Sequence, residues 1–362
     1  MPDNCINRTA MVAMSGGVDS AVCALLMKQS GFDVTGVTMK LYCDGEPIPQ
    51  KDGENAQDTP DIRDARAVAT ALGVPHLIAH LEHTFCREVV DDFVRAYLNG
   101  ETPNPCVRCN KTIKFGALAD FATANGLSEI ATGHYARIER DASGHATVKT
   151  AIDAIKDQTY MLWSLSQDVL SRVHFPLGGM RKDEVRELAA SHGFSSADRK
   201  DSQDICFLPN GNYVDFIRRY ASYTPVSGNF VDTDGQILGK HGDLLPYTVG
   251  QRKGLGIALG RPMYVCRKDV ATGNVVLGDN KALFSRVLSA QSVNWISGIP
   301  LTAPLRVRAK VRYAHAAAPA TVWQTDESHI RVEFDEPQRA IASGQSVVLY
   351  GDEVLLGGGI IE

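Results

Sequence analysis

Met11-Val12-Ala13-Met14-Ser15-Gly16-Gly17-Val18-Asp19-Ser20 stops an apolar run at Ser-Gly-Gly, and an apolar-periodic segment follows through Leu26. That order reads as strand, tight glycine turn, helix. Two adjacent glycines can take positive φ and bring bare backbone N–H groups close to a ligand. A helix beginning near Asp19 or Ser20 turns its positive end to the same spot. The predicted product is a phosphate cradle. It follows neither the Gly-x-x-x-x-Gly-Lys-Ser/Thr pattern nor Gly-x-Gly-x-x-Gly, so a different kind of anion site is implied.

Outward from this turn the chain alternates strand-like and helix-like segments, the pattern of a doubly wound parallel sheet. Val34 to Met39 reads as a strand, Asp61 to Gly73 as a helix with Ile62, Ala65, Ala69 and Leu72 on one face, and Pro75 to Ala79 as the next strand. Cys43 to Pro60, rich in Gly, Pro, Asp, Glu and Gln, reads as a surface loop. Glu82 to Leu98 reads as helical, Gly100 to Pro105 as a loop, about Thr112 to Ala124 as a helix and Glu129 to Gly133 as a buried strand. Ligands of such sheets sit at the carboxyl ends of the strands, where Ser15 to Ser20, Met39 and Thr132-Gly133-His134 fall.

The composition, 44% hydrophobic and 22% charged over 362 residues, is that of a soluble globular protein of two or three domains. No stretch has the apolar length of a membrane span and Met1 to Arg8 is polar, which predicts a cytosolic chain. The net charge of −5 excludes a surface coated in positive potential but leaves room for a local basic stripe. Eight scattered cysteines do not make a disulfide framework.

Asn104-Pro105-Cys106-Val107-Arg108-Cys109-Asn110-Lys111 reads as a loop feeding a helix. The helix dipole, Arg108, Lys111 and Lys114 would there favour a thiolate at Cys109. A Cys-x-x-Cys pair also serves as a metal clip, or stands together by accident. A third thiol, Cys206, lies among polar residues in Lys200-Asp201-Ser202-Gln203-Asp204-Ile205-Cys206-Phe207-Leu208. Taken alone it reads as a small core residue.

The Ser-Gly-Gly-x-Asp-Ser signature resembles that of the ATP pyrophosphatases. The wider set is Met14 to Ser20, Thr102-Pro103-Asn104-Pro105-Cys106 with Cys109-Asn110-Lys111, Ala131 to Arg137, Lys156-Asp157-Gln158-Thr159-Tyr160, Asp201 to Cys206 and Gly250-Gln251-Arg252-Lys253-Gly254-Leu255-Gly256. In this order the set resembles the tRNA-specific 2-thiouridylases, from about residue 9 to the C-terminus. The resemblance implies replacement by sulfur of the C2 oxygen of the wobble uridine in tRNA. ATP with Mg²⁺ adenylates that oxygen, because an adenylated oxygen departs as AMP where an amide-like one does not. It implies that Ala13, Met14, Ser15, Gly16, Gly17, Val18, Asp19 and Ser20 hold ATP phosphates, and that Met39 and Gly133 line the adenosine. His134, Lys156, Asp157, Gln158, Arg312, Tyr313 and Gln345 would contact the anticodon region of tRNA. It makes Cys206 the persulfide carrier, loaded by a sulfur-donor protein, and Cys109 the partner nucleophile. The two would end as a disulfide, which needs their Cα atoms within about 7 Å, through loop closure on tRNA if they start further apart. Many family members carry Asp where this chain has Cys106, so that acid's role does not carry over. Cys106, Cys109 and Cys206 could instead ligate a [4Fe–4S] cluster.

Beyond Arg218-Arg219 helical periodicity gives way to short alternating runs. The predicted organisation is a catalytic domain over 1–218, a small β-rich domain over 219–283 and a C-terminal antiparallel β-barrel over 284–362, in a monomer. Leu305 to Tyr313 reads as a period-two strand with four cations on one face, able to track a phosphate backbone. Residues 284–362 nevertheless hold seven Lys or Arg against eight Asp or Glu, about −1 in all. Two other classes fit parts of the chain: a small-molecule adenylating ligase on the same ATP fold, and a non-catalytic RNA-binding or iron–sulfur module.

Overall fold

In the computed structural model, which describes residues 8–41, 59–194, 205–208 and 211–362, the quoted stretch is strand β1 (Thr9–Ala13), a four-residue turn and helix α1 (Val18–Gln29). Ala10, Met11 and Val12 are wholly buried because β1 is central in a parallel sheet, between β2 (Asp33–Lys40) and β4 (Glu129–Ala131). With β3 (His76–His80) and β7 (Val173–His174) the sheet order is β3-β2-β1-β4-β7. Met11 faces a core containing Phe85, Phe93, Ile113 and Leu118. Ala10 and Val12 face a second core built from α1, α2 (Pro60–Leu72) and helix Lys182–Ser191. Helices therefore cover both faces, and the doubly wound α/β fold read from the alternation of elements is observed. Cys23 lies in the second core with no exposed surface, and burial pushes its thiol well up.

The Cys43 to Pro60 loop, the Asp201 to Asp204 part of the Cys206 motif, and Cys5 lie outside the described residues, except for Thr59 and Pro60, which open α2. Helix α2 ends as its sequence predicts, on Gly73 at φ 63°.

A hairpin of β5 (Ala136–Arg140) and β6 (Ala146–Thr150) leaves the parallel sheet and joins the barrel. The barrel is built from β12 (Phe284–Trp295), β13 (Leu305–Lys310), β14 (Ala318–Gln324), β15 (Ile330–Arg339), β16 (Ser346–Gly351) and β17 (Val354–Ile361), and pairing of β12 with β17 closes it. β6 pairs with β17 at Lys149 and Val354, and Arg137 forms an ion pair with Glu353 at 2.5 Å. Buried hydrogen bonds from Tyr160 Oη to the Ser346 carbonyl (2.8 Å) and from Trp163 Nε1 to Ser346 Oγ (3.0 Å) fix the barrel to the first domain. Between these units β8 (Gly228–Val231), β9 (Ile237–His241), β10 (Tyr264–Asp269) and β11 (Asn274–Gly278) form a separate sheet around Phe230, Tyr247 and Val265. Among the described residues no helix is long and apolar enough to cross a membrane.

The period-two strand ends sooner than its sequence predicts. β13 stops at Lys310, so Tyr313 is exposed instead of continuing the apolar face of Val307, Ala309 and Val311. Arg306 is held by Asp335 in a two-pronged pair (2.8 and 2.7 Å), and Arg308 donates to the Ala317 carbonyl. Part of the cationic stripe is thus satisfied within the protein.

Candidate active site

The turn between β1 and α1 is shaped by close approach. Gly16 sits at φ +73°, and a Cβ there would stand 2.8 Å from the Asp61 carbonyl and 3.0 Å from Asp64 Cβ at the start of α2. Ser15 N–H and the Gly17 carbonyl are tied to Ser20 Oγ at 3.2 and 2.9 Å, and no side chain caps α1. Its first-turn N–H groups are left to serve an anion. Gly133 packs against the first turn of α1, where a Cβ would meet the Asp19 carbonyl carbon at 2.9 Å. Ala13 ends β1, Met39 lies half-buried near the end of β2, and the buried Met14 runs over Gly36. Ser15 to Ser20, Met39 and Gly133 thus stand together at the carboxyl ends of the strands, with Gly133 serving the approach of α1. Gly16→Ala combines a left-handed residue, costing about 1–2 kcal/mol, with a steric clash. ATP binding by calorimetry is expected to weaken more than about tenfold, and an affinity equal to that of the wild type would refute the cradle.

Asp19 organises this site. Lys182 Nζ contacts both its oxygens, at 2.7 and 2.8 Å, and Tyr135 Oη donates to it at 2.9 Å. Neither Lys182 nor Tyr135 was legible as a site residue. Lys182 opens a helix remote in sequence, and only the packing of that helix on α1 delivers its ammonium. Tyr135 also exchanges hydrogen bonds with Gln158, whose Oε1 accepts from Tyr135 N–H (3.0 Å) and whose N–H donates to the Tyr135 carbonyl (2.9 Å).

Cys106 and Cys109 lie on a helix, not in a loop before one. Asn104 Oδ1 accepts from Cys106 N–H at 3.1 Å and Pro105 occupies the first helical position, so helix Pro105–Cys109 starts ahead of both thiols. Asn-Pro was the available signal. The helix continues as a π-helical stretch, Asn110–Ala117, whose wider turn sets Lys114 near Cys109, five residues back. The expected lowering of the Cys109 thiol pKa is overturned: burial pushes it up to about 11 and Cys106 adds to this, while Lys114 only partly opposes it. The Cys106 thiol, which reaches the surface, is also raised, chiefly by burial. Since the raised thiol is neutral below its pKa, alkylation of Cys109 in the unliganded protein should rise about tenfold per pH unit from pH 7 to 10. Mass spectrometry of the labelled peptide would contradict this by a plateau near neutrality.

Cys206 is exposed, while the next residue, Phe207, is buried edge-on against Phe93 (5.2 Å) and Phe85 (5.7 Å). The thiol is therefore not in apolar packing, contrary to its reading taken alone. No disulfide joins the described cysteines. Among the described residues no three His, Cys, Asp or Glu side chains gather as a metal ligand set, so Cys106, Cys109 and Cys206 are not assembled for a cluster in this conformation.

The residues expected to meet tRNA fall into three settings. His134 is buried, bonded through Nδ1 to Thr132 Oγ1 (2.6 Å) and packed against Phe115 and Phe175. Burial first, then Lys114, hold it neutral. Asp157 organises its own turn through Ala151 N–H and the Thr159 hydroxyl, and its carbonyl accepts from Tyr313 Oη at 3.2 Å. Lys310 Nζ lies 5.5 Å from the centre of the Tyr313 ring, and Cys106 is close enough to act on Tyr313 electrostatically. Arg312 donates to the carbonyls of Arg339 and Ala340, and Gln345 donates to the Thr102 carbonyl at 2.7 Å, tying the barrel to the segment before Cys106.

The chain matches the tRNA methyl transferase HUP domain over residues 8–210, the tRNA methyl transferase PRC-barrel domain over 214–279 and the aminomethyltransferase beta-barrel domain over 285–361. It is 45% identical over 358 residues to the tRNA-specific 2-thiouridylase MnmA of Clostridioides difficile (strain 630), covering 99% of each chain. With the protein of that name from Heliobacterium modesticaldum (strain ATCC 51547 / Ice1) it shares 46% identity over 359 residues, 98% of this chain and 93% of the relative. Among solved structures, a 4-thiouridine synthetase–RNA complex with bound ATP aligns at 19% identity and TM-score 0.36 over 59% of this chain and 50% of that one. Matched from end to end by these curated relatives, the chain belongs to the tRNA-specific 2-thiouridylase family.

Proposed function

We propose that this chain is a tRNA-uridine 2-sulfurtransferase that uses ATP to exchange the C2 oxygen of the wobble uridine for sulfur. The observation that carries the reading is near-complete coverage of both chains at 45% identity to a tRNA-specific 2-thiouridylase. The geometry supports it. The phosphate turn, through Tyr135 and Gln158, is continuous with the turn carrying Lys156 and Asp157, which bonds to Tyr313 near Cys106.

In the proposed chemistry the uridine oxygen attacks the α-phosphorus of ATP held over Ser15 to Ser20, and pyrophosphate leaves. A sulfur-donor protein loads Cys206 as a persulfide. The terminal sulfur attacks C2, the C–O bond breaks, and AMP departs with the original oxygen. The Cys109 thiolate then attacks Cys206 Sγ, 2-thiouridine leaves as the thiolate, and a Cys109–Cys206 disulfide remains for a two-electron cellular reductant to reopen. With its thiol raised by burial, Cys109 needs bound substrate or a nearby base to lose its proton.

Nucleoside mass spectrometry of tRNA incubated anaerobically with the protein, ATP, Mg²⁺ and a persulfide-carrying sulfur donor, with and without iron, tests this reading. 2-Thiouridine formed without iron is the expected result. Its absence in every condition, with intact tRNA and folded protein, would overturn it. Pyrophosphate release that followed an amino acid instead of tRNA would move the assignment to the small-molecule ligases.

A further inference from the structure

The segment Ile152–Lys156 carries Ile155, whose surface is 89% exposed, and Ile152, at 53%. An aliphatic side chain this open in water gains free energy when a partner covers it. The turn is nevertheless tightly built. Asp153 Oδ1 accepts from Ile155 N–H (3.1 Å) and Lys156 N–H (3.3 Å), and its Oδ2 accepts from Lys182 N–H (3.1 Å). Ile152 N–H donates to the Gly178 carbonyl at 3.0 Å, and the Asp157 carboxylate is taken up by Ala151 N–H and Thr159 Oγ1. Both acids of the turn are thus directed onto protein donors, which blunts their repulsion of an anionic partner. Beside the tip stand Lys156 and, across the Asp157–Tyr313 bond, an exposed tyrosine ring with Lys310 near its face. An aliphatic point among cations and an aromatic ring suits single-stranded RNA, where cations meet phosphates and apolar side chains enter between unstacked bases.

We propose that Ile155 is an apolar wedge that enters the anticodon loop and holds bases beside the target uridine unstacked, on a turn kept rigid by Asp153. This rests on the tRNA reading above and adds to it a positioning residue that presents the uridine. It accounts for the exposed isoleucine and for the bonds that stiffen so small a turn: a wedge works only if the backbone behind it does not yield.

The test compares wild type with Ile155→Ser and Ile155→Leu, using tRNA with 2-aminopurine next to the target uridine. Removing the aliphatic side chain should weaken tRNA binding about tenfold, as expected for one well-buried apolar anchor. It should also abolish the rise in 2-aminopurine fluorescence on binding, whereas Ile155→Leu retains both. Melting temperature and affinity for a non-hydrolysable ATP analogue should be unchanged, because the Ile155 side chain is almost wholly in solvent. Wild-type affinity and fluorescence in Ile155→Ser would overturn the wedge while leaving the sulfurtransferase reading intact. Failure of the wild type to bind tRNA would instead sink that reading itself. A loss seen only when sulfur comes from a donor protein, and not from a small-molecule persulfide, would assign the tip to protein docking and also overturn the wedge.

Discussion

Cys109→Ser and Cys206→Ser are each expected to reduce 2-thiouridine formation by a factor on the order of 10³ or more, while tRNA-dependent release of pyrophosphate continues. The reason is the division of labour in the site. In the proposed scheme adenylation draws on the turn from Ser15 to Ser20, Asp19 and Lys182, and the two thiols act only in the transfer of sulfur. Serine keeps the size of each side chain, so the exposed position 206 and the half-buried position 109 should fold unchanged. A serine hydroxyl neither carries a persulfide sulfur nor opens a disulfide. The readout is paired: nucleoside mass spectrometry for sulfur, labelled pyrophosphate for activation. Loss of both signals in a well-folded Cys109→Ser protein would show that the thiol takes part before activation, and the sequence of steps proposed above would fall. Cys106→Asp separates persulfide from cluster. It should keep thiolation within about threefold, since no persulfide step uses Cys106, whereas a [4Fe–4S] centre would lose a ligand.

The parts of this architecture written in local chemistry were legible, and those made by contact across the chain were not. Ser15-Gly16-Gly17 between an apolar run and a periodic segment specifies strand, turn and helix, because the neighbours of Gly16 leave no room for a side chain. Gly73 ends α2 for an equally local reason. Lys182 reads as an ordinary first-turn residue of a surface helix, and only the fold brings its ammonium to Asp19. Strand β13 of the barrel was legible from its alternation, apart from its end. The hairpin Ala136–Thr150 was not, because its partner β17 lies some two hundred residues further on. The misjudged Cys109 thiol has a similar origin. Neighbouring cations are visible in sequence and argue for a thiolate, whereas burial, which outweighs them, is a property of the packed structure. His134 follows the same rule, since its neutral, enclosed state comes from Phe115 and Phe175, which the sequence sets well apart from it.

Lys182→Met should weaken ATP binding by about tenfold to a hundredfold and also lower stability by roughly 2 kcal/mol, less than the cost of about 3–5 kcal/mol for a fully buried ion pair because Asp19 is partly exposed. The side chain of Lys182 is only 11% exposed and that of Asp19 34%, so water screens the pair incompletely. Without the ammonium, Asp19 keeps the Tyr135 hydroxyl but stands as an uncompensated carboxylate at the first turn of α1, where the phosphates of ATP are proposed to bind. Electrostatic repulsion then acts on the ligand as well as on the fold. A second substitution separates the two effects. Asp19→Asn combined with Lys182→Met removes the unpaired charge, so the melting temperature should return toward that of the wild type. ATP affinity and adenylation should stay low, because the cation proposed to meet the phosphates is gone. Lys182→Arg should fold well and recover part of the affinity, its charge being retained but its longer, larger head displaced from the point where one ammonium meets both Asp19 oxygens at 2.7 and 2.8 Å. If the double variant regained adenylation along with stability, the pair would be a structural strut and Lys182 would have no part in holding the nucleotide.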